Sequence, residues 1–139
     1  MRALVQRVIR ATVTVEGRRI ATIGPGLLVL LGVARDDDEN AADRLARKVL
    51  ALRVFADEAG QMNEPLGERE ILCVSQFTLY GDASRGNRPS FAEAAPAQLA
   101  EPLYERFCGQ TGSRKGAFGA HMEVDSVNDG PVTLLLESR

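Results

Sequence analysis

Apolar and polar residues alternate imperfectly from Met1 to Val15, in a stretch rich in β-branched side chains, and Glu16-Gly17 then offers a turn before a second apolar segment, Ile20 to Ile23. A half-buried strand repeats every two residues, so this pattern predicts a β-hairpin. Gly24-Pro25-Gly26 breaks the chain, and Leu27 to Val33 is apolar without alternation. Such a run fits a strand covered on both faces, which places it centrally in a sheet. Asp36, Asp37, Asp38 and Glu39 follow as an acidic run. Carboxylates there can cap a helix and complement its positive end, and no metal is needed to account for them. Ala42, Leu45, Ala46, Val49 and Leu52 then recur at helical spacing, with Asp43 four residues before Arg47 on the outer side. They predict an amphipathic helix covering the sheet.

The pattern next predicts a short strand around Arg53 to Phe55, a turn at Glu58 to Gly60, irregular chain through Pro65 and Gly67, and a second buried strand from Ile71 to Tyr80. Gly81 to Pro89 is polar, glycine-bearing and basic at Arg85 and Arg88, the composition of a mobile surface loop. From Ala95 to Cys108, Leu99, Leu103 and Phe107 repeat every four residues, a second covering helix that Pro102 either kinks or divides. Gly109 to Gly116 is glycine-rich and basic at Arg114 and Lys115; Ala117 to Val127 and Val132 to Glu137 read as two closing strands around Asn128-Asp129-Gly130-Pro131. Strand-rich ends around helical insertions predict an α/β fold with mixed layered or barrel-like β-sheets and two covering helices, in a single domain over residues 1–139.

Composition narrows the function classes. A chain of 139 residues that is 45% hydrophobic and 26% charged is neither a disordered tail nor a collagenous or membrane protein. Leu27 to Val33 falls well short of the ~20 apolar residues of a bilayer span. Arg2, Arg7 and Arg10 interrupt the apolar start where a signal peptide would be continuous, so the expected address is cytoplasmic, with no membrane partner. Cys73 and Cys108 form no CxxC pair and read as reduced core thiols. A formal net charge of −2 argues against broad electrostatic binding of nucleic acid but leaves room for a local basic patch.

Candidate chemistry is sparse. His121 is the only histidine, which restricts Ser-His and Cys-His schemes, disfavours a histidine-based metal site, and leaves packing or solvent exposure as its ordinary reading. No metal or cofactor is expected. Ser75-Gln76-Phe77-Thr78 interrupts an apolar segment with two hydroxyls and an amide, groups that cost ~1–3 kcal/mol each if buried unpaired. Either they bond across a sheet, or they end a strand where the Thr78 hydroxyl and backbone amides face a small polar pocket. Asn128-Asp129-Gly130-Pro131-Val132-Thr133 has the make-up of a hairpin turn, and its Gly-Pro bond can adopt cis at ~0.5–1 kcal/mol.

Taken in order, these motifs resemble the D-aminoacyl-tRNA deacylase family: Gln6-Arg7-Val8, Gly24-Pro25-Gly26-Leu27-Leu28, Ser75-Gln76-Phe77-Thr78, Arg88-Pro89-Ser90-Phe91, Phe118-Gly119-Ala120 and Asn128 to Thr133, which together cover essentially the whole chain. The resemblance implies a homodimer that cleaves the ester between a D-amino acid and the 3′ end of tRNA, and also acts on glycine mischarged onto tRNA. It implies that a Gly-cis-Pro element, here Gly130-Pro131, serves the partner subunit's site, that Arg7 helps hold it, and that Ser75, Gln76, Phe77 and Thr78 line the pocket. A threonine nucleophile would need an adjacent base, and no histidine lies near the motif, so assistance by the terminal ribose 2′-hydroxyl is the better expectation. Two features depart from the family pattern: His121 stands where an acidic residue is usual, and the stretch from Phe107 to Phe118 is shorter. A non-catalytic RNA-binding module on the same fold is the expectation from another class.

Overall fold

The computed structural model describes residues 1–139. In chain order its elements are β1 (Arg2–Val15), β2 (Arg18–Ile23), β3 (Gly26–Gly32), α1 (Glu39–Ala51), β4 (Phe55–Ala56), β5 (Met62–Glu64), β6 (Glu70–Ser75), a 3₁₀ turn (Phe77–Tyr80), α2 (Ala97–Thr111), β7 (Arg114–Lys115) and β8 (Glu123–Glu137). β2 and β3 behave as one strand bent at Gly24-Pro25, because both pair antiparallel to β1 and the register is unchanged across the bend, Ala11↔Ile23 before it and Val8↔Gly26 after it. β6 runs parallel to β3, β7 parallel to β6, and β8 antiparallel along the other edge of β1. β2 comes back close to β6 and β7, so the mixed sheet curls almost into a barrel with two helices on its outer face.

The two sheet faces bury separate cores. Leu27, Val29 and Leu31 of β3 and Ile71 and Cys73 of β6 point toward α1 and α2, where they pack with Leu45, Val49, Leu103, Tyr104 and Phe107. Leu28 of β3 and Leu72 and Val74 of β6 point the other way, into the curl, with Val8, Ala11, Val13 and Ile23. β3 is thus central and covered on both sides, as its unalternating apolar run predicts. Asp38 caps α1, its Oδ1 accepting the Ala41 N–H at 2.9 Å. Asp37 instead turns inward, where its buried carboxylate accepts the α-ammonium of Met1 at 2.7 Å and the Ala34 N–H at 2.7 Å, and Ser138 Oγ accepts from the same ammonium at 2.7 Å.

Several predicted boundaries are corrected. The strand predicted from Ile71 to Tyr80 ends at Ser75, where its partner β3 runs out; the Gln76 N–H makes a last rung to Leu31 O at 2.8 Å and the chain then winds into the 3₁₀ turn. Gly32 permits that winding, since a Cβ there would stand 3.0 Å from the Gln76 carbonyl oxygen and 3.1 Å from Leu79 Cβ. The two closing strands are one continuous strand, β8, which starts at Glu123 rather than Ala117 and carries Asn128 to Pro131 within it instead of a hairpin turn. The strand predicted at Arg53 to Phe55 falls at Phe55–Ala56 and pairs with β5. α2 starts after Ala95 and runs as one helix from Ala97 to Thr111, so Pro102, exposed in its second turn, does not divide it. Gly112, at φ 65, ends it, and only Gly112 and Ser113 separate α2 from β7, which is how the short stretch after Phe107 is accommodated.

Candidate functional site

The C-terminal end of β6 opens into a cavity of about 430 Å³. Ser75, Gln76 and Phe77 form one wall, Ala95, Ala97 and Ala100 at the start of α2 a second, and Phe118 to Met122 a third. Thr78 is exposed on the adjoining turn, and its hydroxyl accepts from the Gln76 side-chain amide. The turn is held at both ends: Leu79 N–H donates to Gln76 O at 3.2 Å, and Gly81 N–H to Thr78 O at 2.9 Å. Arg2 reinforces it from β1, donating from Nη1 to the Leu79 carbonyl at 2.9 Å and lying 4.5 Å over the Tyr80 ring. Phe77 is 55% exposed and meets Phe91 edge to face at 5.0 Å, which ties the Arg88-Pro89-Ser90-Phe91 motif to the same mouth.

No base reaches the Thr78 hydroxyl; its side-chain partner is an amide, which cannot take a proton. What the arrangement offers is a half-closed, mostly apolar chamber with amides and hydroxyls at one end, suited to holding and polarising a carbonyl. A larger cavity of about 520 Å³ lies behind the turn, between Arg2, Arg35 and Arg139. It contains none of the motif residues, and most of its charge is engaged within the chain, Arg2 with Glu137 at 2.9 Å, Arg139 with Asp36 at 2.6 Å and Arg35 with the Ala92 carbonyl at 2.6 Å. The chamber at the end of β6 is therefore the candidate site.

Gly130-Pro131 occupies a separate place. Between the pairs Gln6↔Thr133 and Val8↔Asn128, β1 spends one residue, Arg7, while β8 spends four, so Asp129 to Val132 bulges out of the sheet with a cis Gly130-Pro131 bond. Arg7 Nε donates to the Asp129 carbonyl at 3.2 Å and also lies 3.2 Å from its carboxylate, while Nη1 donates to Val54 O at 2.6 Å. Asn128 closes the base of the bulge, its Oδ1 accepting the Val132 N–H at 3.3 Å and its Nδ2 donating to Thr133 Oγ1 at 3.0 Å. Gly130 has φ 121, and a Cβ there would stand 2.8 Å from Arg7 Nη2. Within one chain the bulge lies three strands across and four residues along from Ser75, roughly 20 Å by strand geometry.

Of the residues singled out in the sequence, the fold thus gathers Ser75, Gln76, Phe77 and Thr78 at one place and Arg7, Gly130 and Pro131 at another. Sequence reasoning missed the alanine wall of α2 and the place of His121 on the chamber's third wall; helical spacing marks Ala100 only as core, and nothing local marks the others. Cys73 and Cys108 are buried and free, and burial pushes the Cys73 thiol up. No three His, Cys, Asp or Glu side chains converge in a way that would hold a metal ion.

A family model described as D-Tyr-tRNA(Tyr) deacylase matches residues 4–137. A D-aminoacyl-tRNA deacylase of Symbiobacterium thermophilum is 56% identical over 145 residues, covering 99% of this chain and 96% of the relative. One of Anaeromyxobacter dehalogenans is also 56% identical and covers 100% of this chain and 98% of its own length. Among solved structures, a c-Myc DNA unwinding element binding protein superposes with a TM-score of 0.94 at 45% identity, covering 100% of this chain and 99% of the other. A structure described as that of a probable eukaryotic D-amino acid tRNA deacylase gives a TM-score of 0.86 at 18% identity, with 98% of each chain covered, a likeness of fold.

Proposed function

This chain belongs to the D-aminoacyl-tRNA deacylase family and is a hydrolase of the aminoacyl-tRNA ester bond, and we propose that it holds the acyl end of the tRNA between the chamber of one subunit and the Gly130-Pro131 bulge of another. The observation that carries this reading is the separation of the two motifs: a chamber with polar groups at one end and a rigidly braced bulge lie far apart in one chain, so one site would need two chains. A symmetric dimer supplies two such composite sites. The outer edge of β8, unpaired along its length, with Leu134 38% exposed and Leu135 56% exposed, supports a strand-rich interface for it.

In this reading the ester carbonyl lies against the amides that open the 3₁₀ turn, Ser75, Gln76, Phe77 and Thr78 shape the pocket, and water attacks with help from the neighbouring ribose 2′-hydroxyl. The carbonyl–O3′ bond breaks, the amino acid leaves as its carboxylate, and the tRNA 3′ oxygen is released as a hydroxyl. The carbonyls of the Gly130-Pro131 bulge occupy the volume into which an L side chain would project from Cα, which rejects L esters by clash and lets D esters and glycine through. No metal and no cofactor is invoked. Arg85 and Arg88, exposed on the loop that leads to Phe91, supply local positive charge for the tRNA backbone on a chain whose net charge is −2.

Complementation tests the composite site. Phe77→Asp, which spoils the chamber, and Gly130→Ala, which displaces the bulge, are each expected to be nearly inactive alone. Coexpressed, they form mixed dimers with one intact site, and activity should recover to roughly a quarter of wild type. No recovery in isolated mixed dimers would overturn the arrangement across subunits. Equal cleavage of D- and L-aminoacyl-tRNA by wild type would overturn the chiral reading.

A further inference from the structure

The chamber has one side chain that can bear charge. Its walls from β3, β6, the 3₁₀ turn and the start of α2 carry no titratable residue, and the segment from Phe118 to Val124 brings His121 alone. His121 is exposed while it lines the chamber, so it stands at the mouth, and it makes neither a hydrogen bond nor an ion pair within the chain. Its position is nevertheless set. Phe118, three residues before it, packs on Tyr104 at 5.7 Å in the main core, and Met122, the next residue, packs into the inner core so closely against Gly116 that a Cβ there would stand 2.8 Å from its sulfur. Of the nearby charges, Lys115 is paired with Glu105 at 2.8 Å, and the exposed Glu123 and Asp125 at the start of β8 make no ion pair with the imidazole. A donor displayed on a clamped segment, without a protein partner, at the mouth of an otherwise uncharged chamber is placed to meet an anion on whatever enters.

We propose that His121 binds the last internucleotide phosphodiester of the aminoacyl-tRNA substrate. The inference rests on reading the chamber as the receptor of the acylated 3′ end. If the terminal nucleoside and its ester occupy about 430 Å³, the rest of the tRNA must leave through the mouth, and the first group to do so is a phosphodiester. That group is anionic and offers free oxygens to an imidazole N–H, an interaction stronger than one between neutral groups. An acidic side chain at this position would repel the same phosphate, so His121 contributes to how tightly this chain holds its substrate rather than to the bond-breaking step.

Steady-state hydrolysis of D-tyrosyl-tRNA by the full chain separates the possibilities. H121F, which keeps an aromatic ring and loses the donor, should raise KM about fivefold and leave kcat within about twofold, the scale of one partly exposed charged contact. H121R should restore KM, and its log KM should rise with log salt more steeply than that of H121F by about 0.7, the signature of one phosphate contact on a single strand. A wild-type KM in H121F, or no restoration and no difference in salt slope in H121R, overturns the proposal. Ala97→Trp tests the underlying reading on its own, because it adds bulk to the chamber from the α2 wall and leaves the imidazole in place. If Ala97→Trp raises KM while H121F does not, the chamber reading stands and the phosphate contact falls; if Ala97→Trp changes neither kcat nor KM, the chamber reading falls with it.

Discussion

Arg7 and Asp129 are joined twice, by a bond from Nε to the Asp129 carbonyl at 3.2 Å and by the approach of the same Nε to its carboxylate at 3.2 Å, and Arg7 also donates to Val54 O at 2.6 Å. The guanidinium is a strut between β1, the bulge of β8 and the chain leading into β4. Lysine cannot replace it, since one ammonium on a flexible stem lacks the planar fork that reaches both carbonyls. Arg7→Lys should therefore lower kcat/KM for D-aminoacyl-tRNA by about 10²-fold, through misplacement of the bulge, while shifting stability by only about 1–2 kcal/mol. Deacylation rates set beside urea unfolding of the same variant decide this; equal losses in both would make Arg7 a structural residue only.

Gly130→Ala should damage the bulge directly. Its Cβ would have to stand 2.8 Å from Arg7 Nη2 with φ at 121, where L residues are strained by about 1–3 kcal/mol. Activity should fall at least tenfold while far-UV circular dichroism stays that of wild type, because the rest of β8 keeps its pairing with β1. Undiminished activity would show that the bulge does not shape the site.

The role of Thr78 is open to a substrate swap. Removing a true nucleophile costs on the order of 10⁶ in kcat, whereas Thr78→Ala should cost no more than about 10²-fold here, because its hydroxyl has an amide and not a base beside it. Replacing the terminal ribose with its 2′-deoxy form should abolish turnover. Full activity on the deoxy substrate would rule out assistance by the tRNA.

Asp37 carries a stability prediction. Its carboxylate is buried and pairs with the buried α-ammonium of Met1 at 2.7 Å, so Asp37→Ala leaves that ammonium facing only Ser138. Removing one partner of a buried pair costs about 3–5 kcal/mol. The denaturant midpoint should drop accordingly with the slope unchanged; a shift below about 1 kcal/mol would mean that water enters and solvates the ammonium.

Alkaline titration should report the two tyrosines. Burial first, and then the Asp37 charge, pushes the Tyr80 phenol up to about 12, and burial, with Cys73 beside it, raises Tyr104 further. Both folded values lie above the unfolded value near 10, so the unfolded state releases protons first. The stability these groups contribute is intact below about pH 10 and declines as pH rises toward 12. Tyrosinate absorbance of the folded protein should therefore appear well above pH 10, and Tyr80→Phe should flatten the loss of stability over that interval.

The periodicity of the chain determined most of the architecture. Two-residue alternation specified β1 and β2, an unbroken apolar run made β3 central, and four-residue spacing placed α1 and most of α2, because each pattern reflects a face that must be buried locally. The ordered motifs also marked Ser75 to Thr78 and Gly130-Pro131 as unusual, since polar groups in an apolar run and a Gly-Pro in a turn-like string both demand a reason. What depends on partners was decided only by tertiary structure. β6 stops at Ser75 because β3 offers no further rungs, which turns a predicted strand into the corner that displays Thr78. Asn128 to Pro131 reads locally as a hairpin, yet β1 is long enough to pair on both sides of it, so the chain resumes its direction and the excess residues bulge outward onto Arg7. Asp37 is one acid among four in the sequence and a buried counter-ion in the fold, and His121 becomes a wall of the chamber only when Phe118 and Met122 sink into two different cores. Local pattern encodes which face is buried; which groups meet there is settled by residues far apart in the chain.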